Sequence, residues 1–153
     1  MSADETPIAP ARAGMTVPLG PGSQLTFKAV GADTANAFAL MEYLLAPGGG
    51  AGLHTHTRED ESFYVLAGEL AVQLGDEATV VTPGEFIRIP KGTPHAFANQ
   101  GREPVTALVI LTPAGLEQFF VELAALAAAA PDGQIAPEAL DALTARYGLN
   151  FGE

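Results

Sequence analysis

Between residues 24 and 112, turn-forming residues cut the sequence into short runs, and this spacing limits the possible folds more than any other feature. The chain holds 17 glycines and 12 prolines in 153 residues. Turn pairs such as Gly75-Asp76 separate runs in which apolar and polar residues alternate. Short, evenly spaced runs of this kind predict β-strands rather than a helical bundle. They are typical of a β-sandwich or a β-barrel.

The alternation also predicts which side chains share a face. Around Glu42, the charged residue of its run, Met41 and Tyr43 are expected on one face and Leu44 on the other. In the next run, Phe63 is expected to point inward with Val65. The predicted strands cover 24–30, 36–50, 62–68, the hairpin 69–81, 86–90, 95–99 and 104–112.

After residue 112 the period changes from that of a strand to that of a helix. Thr112 is expected to cap the first helix, with Pro113 at its first position. A second helix is expected to begin at Pro137. The predicted organisation is a flexible N-terminal arm over 1–22, a barrel over 23–112 and a helical C-terminal extension over 113–153. The extension is expected either to pack on the outer face of the barrel or to cap its cavity. The apolar stripe of the first helix consists of Leu116, Phe119, Phe120, Leu123 and Ala127.

Charge and composition exclude several classes of partner. The formal net charge of −11 argues against binding nucleic acid or an anionic membrane surface, since both require basic patches. The chain has no cysteine, which excludes disulfides and thiolate metal sites. The N-terminal segment lacks the apolar run of a secretory signal, and the alanine-rich stretch 121–130 is too short to span a bilayer. A cytoplasmic protein is therefore expected.

The chain has only three histidines, and two of them stand one residue apart at His54 and His56. Alternate side chains of a strand share a face, so both rings would point the same way. His95 follows a Gly-Thr-Pro turn on another predicted strand, which a closed sheet can bring beside the first. Each histidine alone would more commonly be an ordinary core or surface residue. Together with the carboxylate of Glu61 they favour a metal site, whereas Glu59 is expected to be a solvated charge.

The spacing of these residues resembles the two sequence motifs of the cupin superfamily. Five residues separate the first glycine from the first histidine, and four separate the second histidine from the glutamate. The second motif follows without departure. The matching positions are Gly48, His54, His56, Glu61 and Gly68 in the first motif, and Gly84, Pro90, Gly92, His95 and Asn99 in the second.

This resemblance implies an all-β fold, the cupin double-stranded β-helix or jelly-roll barrel, here with a C-terminal pair of α-helices. It also implies one divalent transition metal ion held by His54, His56, Glu61 and His95. Three imidazoles and one carboxylate suit Fe, Mn, Co, Ni, Cu or Zn, and this donor set does not choose among them. Asn99 is expected to hold a turn or to form hydrogen bonds with the backbone rather than to bind the metal.

Among cupins, the sequence is similar to small bacterial proteins related to quercetin dioxygenase. That similarity implies a metal-dependent dioxygenase of a small aromatic or enol-type molecule, with Glu61 as both metal ligand and catalytic base. The expected substrate pocket consists of Met41, Tyr43, Phe63 and Phe97, which could equally be ordinary barrel-core residues.

Two other functions remain open at this point. The same barrel could use the ion only as a Lewis acid in an isomerase, cyclase or decarboxylase, or it could be a non-catalytic small-molecule-binding protein. Arg58 and Arg88 could meet an acidic substrate, although a solvated surface position is the commoner role of such residues. A homodimer is expected, because open sheet edges need cover.

Overall fold

The computed structural model of the chain describes residues 8–9 and 14–152. In this part of the chain, eleven antiparallel strands form two facing sheets. The strands are β1 (Thr16–Pro18), β2 (Gln24–Ala29), β3 (Ala39–Leu45), β4 (Gly50–His56), β5 (Asp60–Ala67), β6 (Leu70–Leu74), β7 (Glu77–Val81), β8 (Phe86–Ile89), β9 (His95–Ala98), β10 (Val105–Thr112) and β11 (Leu149–Phe151). The sheet orders are β1-β2-β3-β10-β5-β8 and β11-β4-β9-β6-β7, so the prediction of an all-β jelly-roll is confirmed.

The alternation seen in the sequence becomes the inside and the outside of the sandwich. Phe63 and Val65 of β5 are buried, whereas Tyr64 and Leu66 between and beyond them are exposed. β3 shows the same strict alternation over seven residues. The buried apolar side chains of both sheets form one continuous core, which holds the functional side chains in place.

Within the described part of the chain, three helices accompany the sheets: α1 (Gly31–Thr34), α2 (Glu117–Ala129) and α3 (Pro137–Arg146), with a 3₁₀ turn at Pro131–Gly133 before α3. The predicted start of the first long helix is wrong. Thr112 lies in β10, where it pairs with Asp60 of β5. This sheet pairing keeps Thr112 extended, and α2 therefore begins at Glu117. The buried Glu117 carboxylate accepts hydrogen bonds from the backbone N–H groups of Gly31 and Gly115, at 2.7 and 2.5 Å.

Two short strands lie in segments where no strand is predicted. Thr16–Pro18 falls inside the expected N-terminal arm, but it pairs with β2 and buries Val17. Residues 1–7 and 10–13 of that arm lie outside the described residues. Leu149–Phe151 falls inside the expected helical extension, but it pairs with β4 along His54–His56. Each strand has three residues, too few for an alternating pattern to be recognised.

The two long helices cover the space between the sheets on one side of the sandwich. β1 is an edge of one sheet and β11 an edge of the other. α2 packs against β1, α3 packs against β11, and the two helices contact each other. The helical extension therefore bridges the two sheet edges, and the apolar stripe of α2 faces the interior of the sandwich.

Candidate metal centre

Four side chains from three strands meet in the interior of the sandwich. His54 and His56 lie on β4, His95 on β9 and Glu61 on β5 of the opposite sheet. All four are buried, and their potential ligand atoms lie within 4.8 Å of one another. The pairing of β4 with β9 places His54 directly opposite His95. The structure thus brings together every residue predicted to ligate a metal, and the cluster could hold a metal ion. Ligation itself stays a prediction.

Backbone carbonyl groups orient two of the three imidazole rings. His54 Nδ1 lies 2.7 Å from the carbonyl oxygen of Gly52, and His95 Nδ1 lies 2.9 Å from that of Thr93. A carbonyl oxygen can only accept a hydrogen bond, so both Nδ1 atoms carry the proton. In each ring the lone pair is then on Nε2, the atom that faces the cluster. This is how histidine ligands of metal ions are commonly held.

The third ring is oriented by a carboxylate that the sequence prediction placed in solvent. Glu59 is only 4% exposed, and its Oε1 accepts a hydrogen bond from His56 Nδ1 at 3.2 Å. β4 ends at His56 and β5 begins at Asp60, so the short connection turns Glu59 back under the ring. The spacing of three residues between His56 and Glu59 could have indicated this contact. The acidic run around Glu59 instead favoured an exposed position.

The Nε2 atom of His56 is the reason why the cluster fits a cation. It is buried and has no hydrogen-bond partner among the described residues. Glu61 Oε1 lies 3.8 Å from this atom and 3.4 Å from His95 Nε2. Lone pairs on Nε2 atoms around a carboxylate repel one another unless a proton or a metal cation lies among them. Three imidazole nitrogens and one carboxylate oxygen are a suitable donor set for a divalent transition metal.

The pKa values of the cluster follow from burial and mutual charge. Burial alone would raise the pKa of Glu61, but the polar contact with the His95 ring and the positive charge that the neighbouring imidazoles can carry lower it overall. The pKa of His54 is lowered, chiefly by burial. Burial also opposes protonation of His56, yet its hydrogen bond to Glu59 and the charge of Glu61 raise its pKa. A metal ion would therefore compete with a proton at His56.

A large cavity of about 1150 Å³ adjoins this cluster, and His54, His56 and Glu61 form part of its wall. The four predicted pocket residues line the same cavity. The Phe97 ring packs at 5.0 Å from Phe63 and edge-on at 6.0 Å from Tyr43. Burial, assisted by the charge of Glu61, raises the pKa of Tyr43 to about 12, so its hydroxyl stays protonated. That these residues bind substrate stays a prediction. The pocket residues are Met41, Tyr43, Phe63 and Phe97.

Residues of the C-terminal extension complete the cavity, and the sequence analysis did not assign them to it. Phe151 of β11 stacks on the His54 ring, with ring centroids 5.1 Å apart and ring planes at 18°. The apolar stripe of α2 was predicted, but the sequence did not determine whether it covers the outer face of the barrel or the cavity. The members of the stripe that line the cavity are Leu116, Phe119, Phe120, Leu123 and Ala127.

Three other residues considered in the sequence analysis lie outside the cavity wall. Arg88 forms a surface ion pair with Asp60 at 2.7 Å, and Arg58 donates a hydrogen bond to the carbonyl oxygen of Arg146. The Asn99 amide donates to the carbonyl oxygens of Leu45 and Glu103 at 3.0 and 2.8 Å. The expected turn-holding role of Asn99 is therefore confirmed.

The family described as "Cupin domain" matches residues 41–111, which include all four residues of the cluster. Residues 41–111 therefore form a cupin domain. The chain is 32% identical over 90 residues to quercetin 2,3-dioxygenase of Bacillus subtilis, and this match covers 59% of the chain and 26% of that protein. It is 31% identical over 78 residues to mannose-1-phosphate guanylyltransferase 2 of Escherichia coli, covering 51% of this chain and 16% of that protein. The chain thus spans only about a quarter or less of the length of these two relatives.

Among solved structures, the chain resembles KdgF from a Halomonas species with a TM-score of 0.63 and 19% identity. The match covers 72% of this chain and 96% of that one. At this identity the likeness shows the fold alone. Within residues 8–9 and 14–152, no helix has the length and apolar character needed to cross a membrane.

Proposed function

We propose that this cupin is a metal-dependent dioxygenase that acts on a small aromatic or enol-type molecule. The observation that carries the proposal is a buried cluster of three histidines and one carboxylate in the wall of a large apolar and aromatic cavity. Such a cavity can enclose an organic molecule and keep water away from the cluster. The partial similarity to quercetin 2,3-dioxygenase supports the same reading.

The metal would be held by His54, His56, Glu61 and His95. The partnerless Nε2 of His56 and the two Nε2 atoms oriented by carbonyl groups fit this role. When bound, a divalent transition metal supplies Lewis acidity and a place for dioxygen to react.

Glu61 is the proposed base for the substrate hydroxyl. Oε1 of Glu61 faces the histidines, so Oε2 is the atom assigned to take the proton. The lowered pKa of Glu61 keeps the group anionic but makes it a weak base. It therefore requires a hydroxyl more acidic than that of an ordinary alcohol. An enol or a phenol-like hydroxyl meets this requirement, which favours flavonols and β-diketones as substrates.

The aromatic residues position the rest of the molecule. Phe63 and Phe97 present ring faces and edges against which a planar molecule can stack. The Tyr43 hydroxyl, protonated over the whole physiological range, can donate a hydrogen bond to a substrate oxygen.

The test is oxygen consumption by protein loaded with one metal at a time. Metal-free protein is prepared by chelation, reloaded with Fe, Mn, Co, Ni, Cu or Zn, and mixed with flavonols and β-diketones in an oxygen electrode. At a metal concentration of about 100 times Kd, binding should stabilise the fold by about 2.7 kcal/mol, or about 5–11 °C in Tm. His56→Ala should lose both the thermal shift and the oxygen uptake. The matched control is Glu69→Gln, because Glu69 is exposed and next to β6.

The same experiment separates the alternatives. Turnover of these compounds without oxygen would replace the proposal with an isomerase, cyclase or decarboxylase. Metal and ligand binding without any turnover would replace it with a non-catalytic binding protein. A wild-type protein whose Tm does not change with any of the six metals would refute the metal site itself.

A further inference from the structure

We infer that the α2–α3 pair forms the second half of the substrate site, which takes an elongated apolar molecule that carries its one acidic hydroxyl or enol at the cluster end. This inference rests on the proposed function for the position of the acidic group. It adds the chemical class of the remainder of the substrate and the residues that limit its length.

The helices and the cluster line one continuous cavity. His54, His56 and Glu61 contribute to its wall from the strands, and both helices contribute apolar side chains from the other side. About 1150 Å³ is more than a small head group such as a diketone would fill. The remaining space lies against the helices. The lining side chains of the helices and their connection include Phe119, Phe120, Leu123, Ile135 and Leu140.

Contacts to the loop after His56 fix the position of this helical wall. Thr57 Oγ1 and Arg58 Nη1 donate hydrogen bonds to the carbonyl oxygens of Gly148 and Arg146, at 2.9 and 2.7 Å. Glu122 of α2 accepts a hydrogen bond from the Tyr147 hydroxyl and forms an ion pair with Arg146 at 3.2 Å. The two helices are therefore joined to each other and to the segment that carries the cluster.

The charge of the wall selects against anionic substrates. None of the described residues that line the cavity is a lysine or an arginine, and the carboxylates in the wall are Glu61 and Asp141. A phosphate or an additional carboxylate placed against the helices would lose hydration on a largely apolar wall and would gain no cationic partner there, which is unfavourable. One ionisable group can be neutralised at the cluster, and the rest of the molecule must be apolar and uncharged.

Short side chains on α2 leave room at the helical end. Ala124 and Ala127 line the cavity, whereas Ala128, the next residue, is exposed. A larger side chain at Ala127 would occupy the space assigned to the far end of the substrate. The same side chain at Ala128 would extend into solvent, which makes the two positions a matched pair with the same helix context.

The test compares two uncharged ligands with the same enol head. Acetylacetone is short, and dibenzoylmethane carries two phenyl arms. Binding of each is measured by calorimetry under nitrogen on the Zn(II)-loaded full chain, so that the readout does not depend on turnover. The wild-type protein should bind dibenzoylmethane at least about tenfold more tightly, because each buried phenyl contributes apolar contact area. A ring carboxylate on dibenzoylmethane should abolish this gain.

Ala127→Phe should lower the affinity for dibenzoylmethane by about tenfold or more and leave that for acetylacetone within about twofold. Ala128→Phe should change neither. If Ala127→Phe does not fold, as judged by circular dichroism and Zn(II) affinity, Ala124→Leu is used for the same comparison. The inference is overturned if wild type binds both diketones equally, or if the cavity variant weakens both to the same extent. The result can be told apart from a failure of the proposed function. Size-selective binding without oxygen uptake would refute only the proposed function, and oxygen uptake without size selection would refute only this inference.

Discussion

The hydrogen bond from His56 to Glu59 predicts how strongly one buried carboxylate tunes the candidate metal centre. Glu59 accepts from Nδ1 at 3.2 Å with 4% exposure, and thereby directs the lone pair of Nε2 into the cluster. Glu59→Ala removes the acceptor and frees the ring to rotate or to change tautomer. Loss of such a partner lowers metal affinity by about 10–100-fold, or about 1.4–2.7 kcal/mol.

Glu59→Gln separates the hydrogen bond from the charge. The amide oxygen can still accept from Nδ1–H, but the bond is no longer charge-assisted. A charged hydrogen bond contributes about 1.5–3 kcal/mol and a neutral one about 0.5–1.5 kcal/mol. The difference of about 1 kcal/mol corresponds to a loss of about fivefold in metal affinity, smaller than that of the alanine variant.

The assay is competition between the protein and a chromogenic chelator for Zn(II) or Ni(II) at constant pH. Thermal melts of the metal-free variants establish that each one folds. Glu69→Gln, which removes an exposed carboxylate close by in the sequence, is the control and should bind like wild type. The reasoning is refuted if Glu59→Ala holds either metal within about twofold of the wild-type affinity.

Three further predictions concern pH, backbone geometry and assembly. The backbone N–H of Lys91 and the ion pair with Arg88 lower the pKa of the Asp60 carboxyl. Asp60 therefore stabilises the fold at pH values above 3.8, the pKa of this carboxyl in the unfolded chain. The stabilisation is lost as the pH falls through the lower pKa of the folded protein. In urea titrations of metal-free protein, the stability gap between wild type and Asp60→Asn should therefore close in acid, and a gap that does not change with pH would contradict this account. Gly50 has a φ of +153°, and a Cβ there would lie 2.2 Å from a carbonyl oxygen of β9, so Gly50→Ala should cost about 2–5 kcal/mol in chemical denaturation. Gly52→Ala places no atom within 4 Å of the new Cβ, so it should lower the free energy of unfolding far less. Equal losses of stability in the two variants would contradict this prediction. The expected homodimer should give twice 15.7 kDa in light scattering, and a single-chain mass would exclude it.

Much of the fold could be predicted because it depends on local periodicity, and the four members of the cluster were implied by the resemblance of their spacing to the two cupin motifs. A strand places alternate side chains on one face, so the spacing of His54 and His56 directs both rings to the same side. The same rule correctly placed Phe63 and Val65 in the interior. Turn residues such as Gly75, with a φ of +59°, marked where the β6–β7 hairpin reverses.

What the sequence could not determine depends on which surfaces meet. Thr112 has the side chain of a helix cap, but pairing with Asp60 across the sheet holds it in a strand. Glu59 belongs to an acidic run and is buried nonetheless, because the connection after β4 turns it under His56. The apolar stripe of α2 needed cover of some kind, and only the contacts of the helices with the two sheet edges directed it into the cavity. Periodicity is a property of neighbours along the chain, whereas these outcomes arise from residues that are distant in sequence, and only the folded structure brings them together.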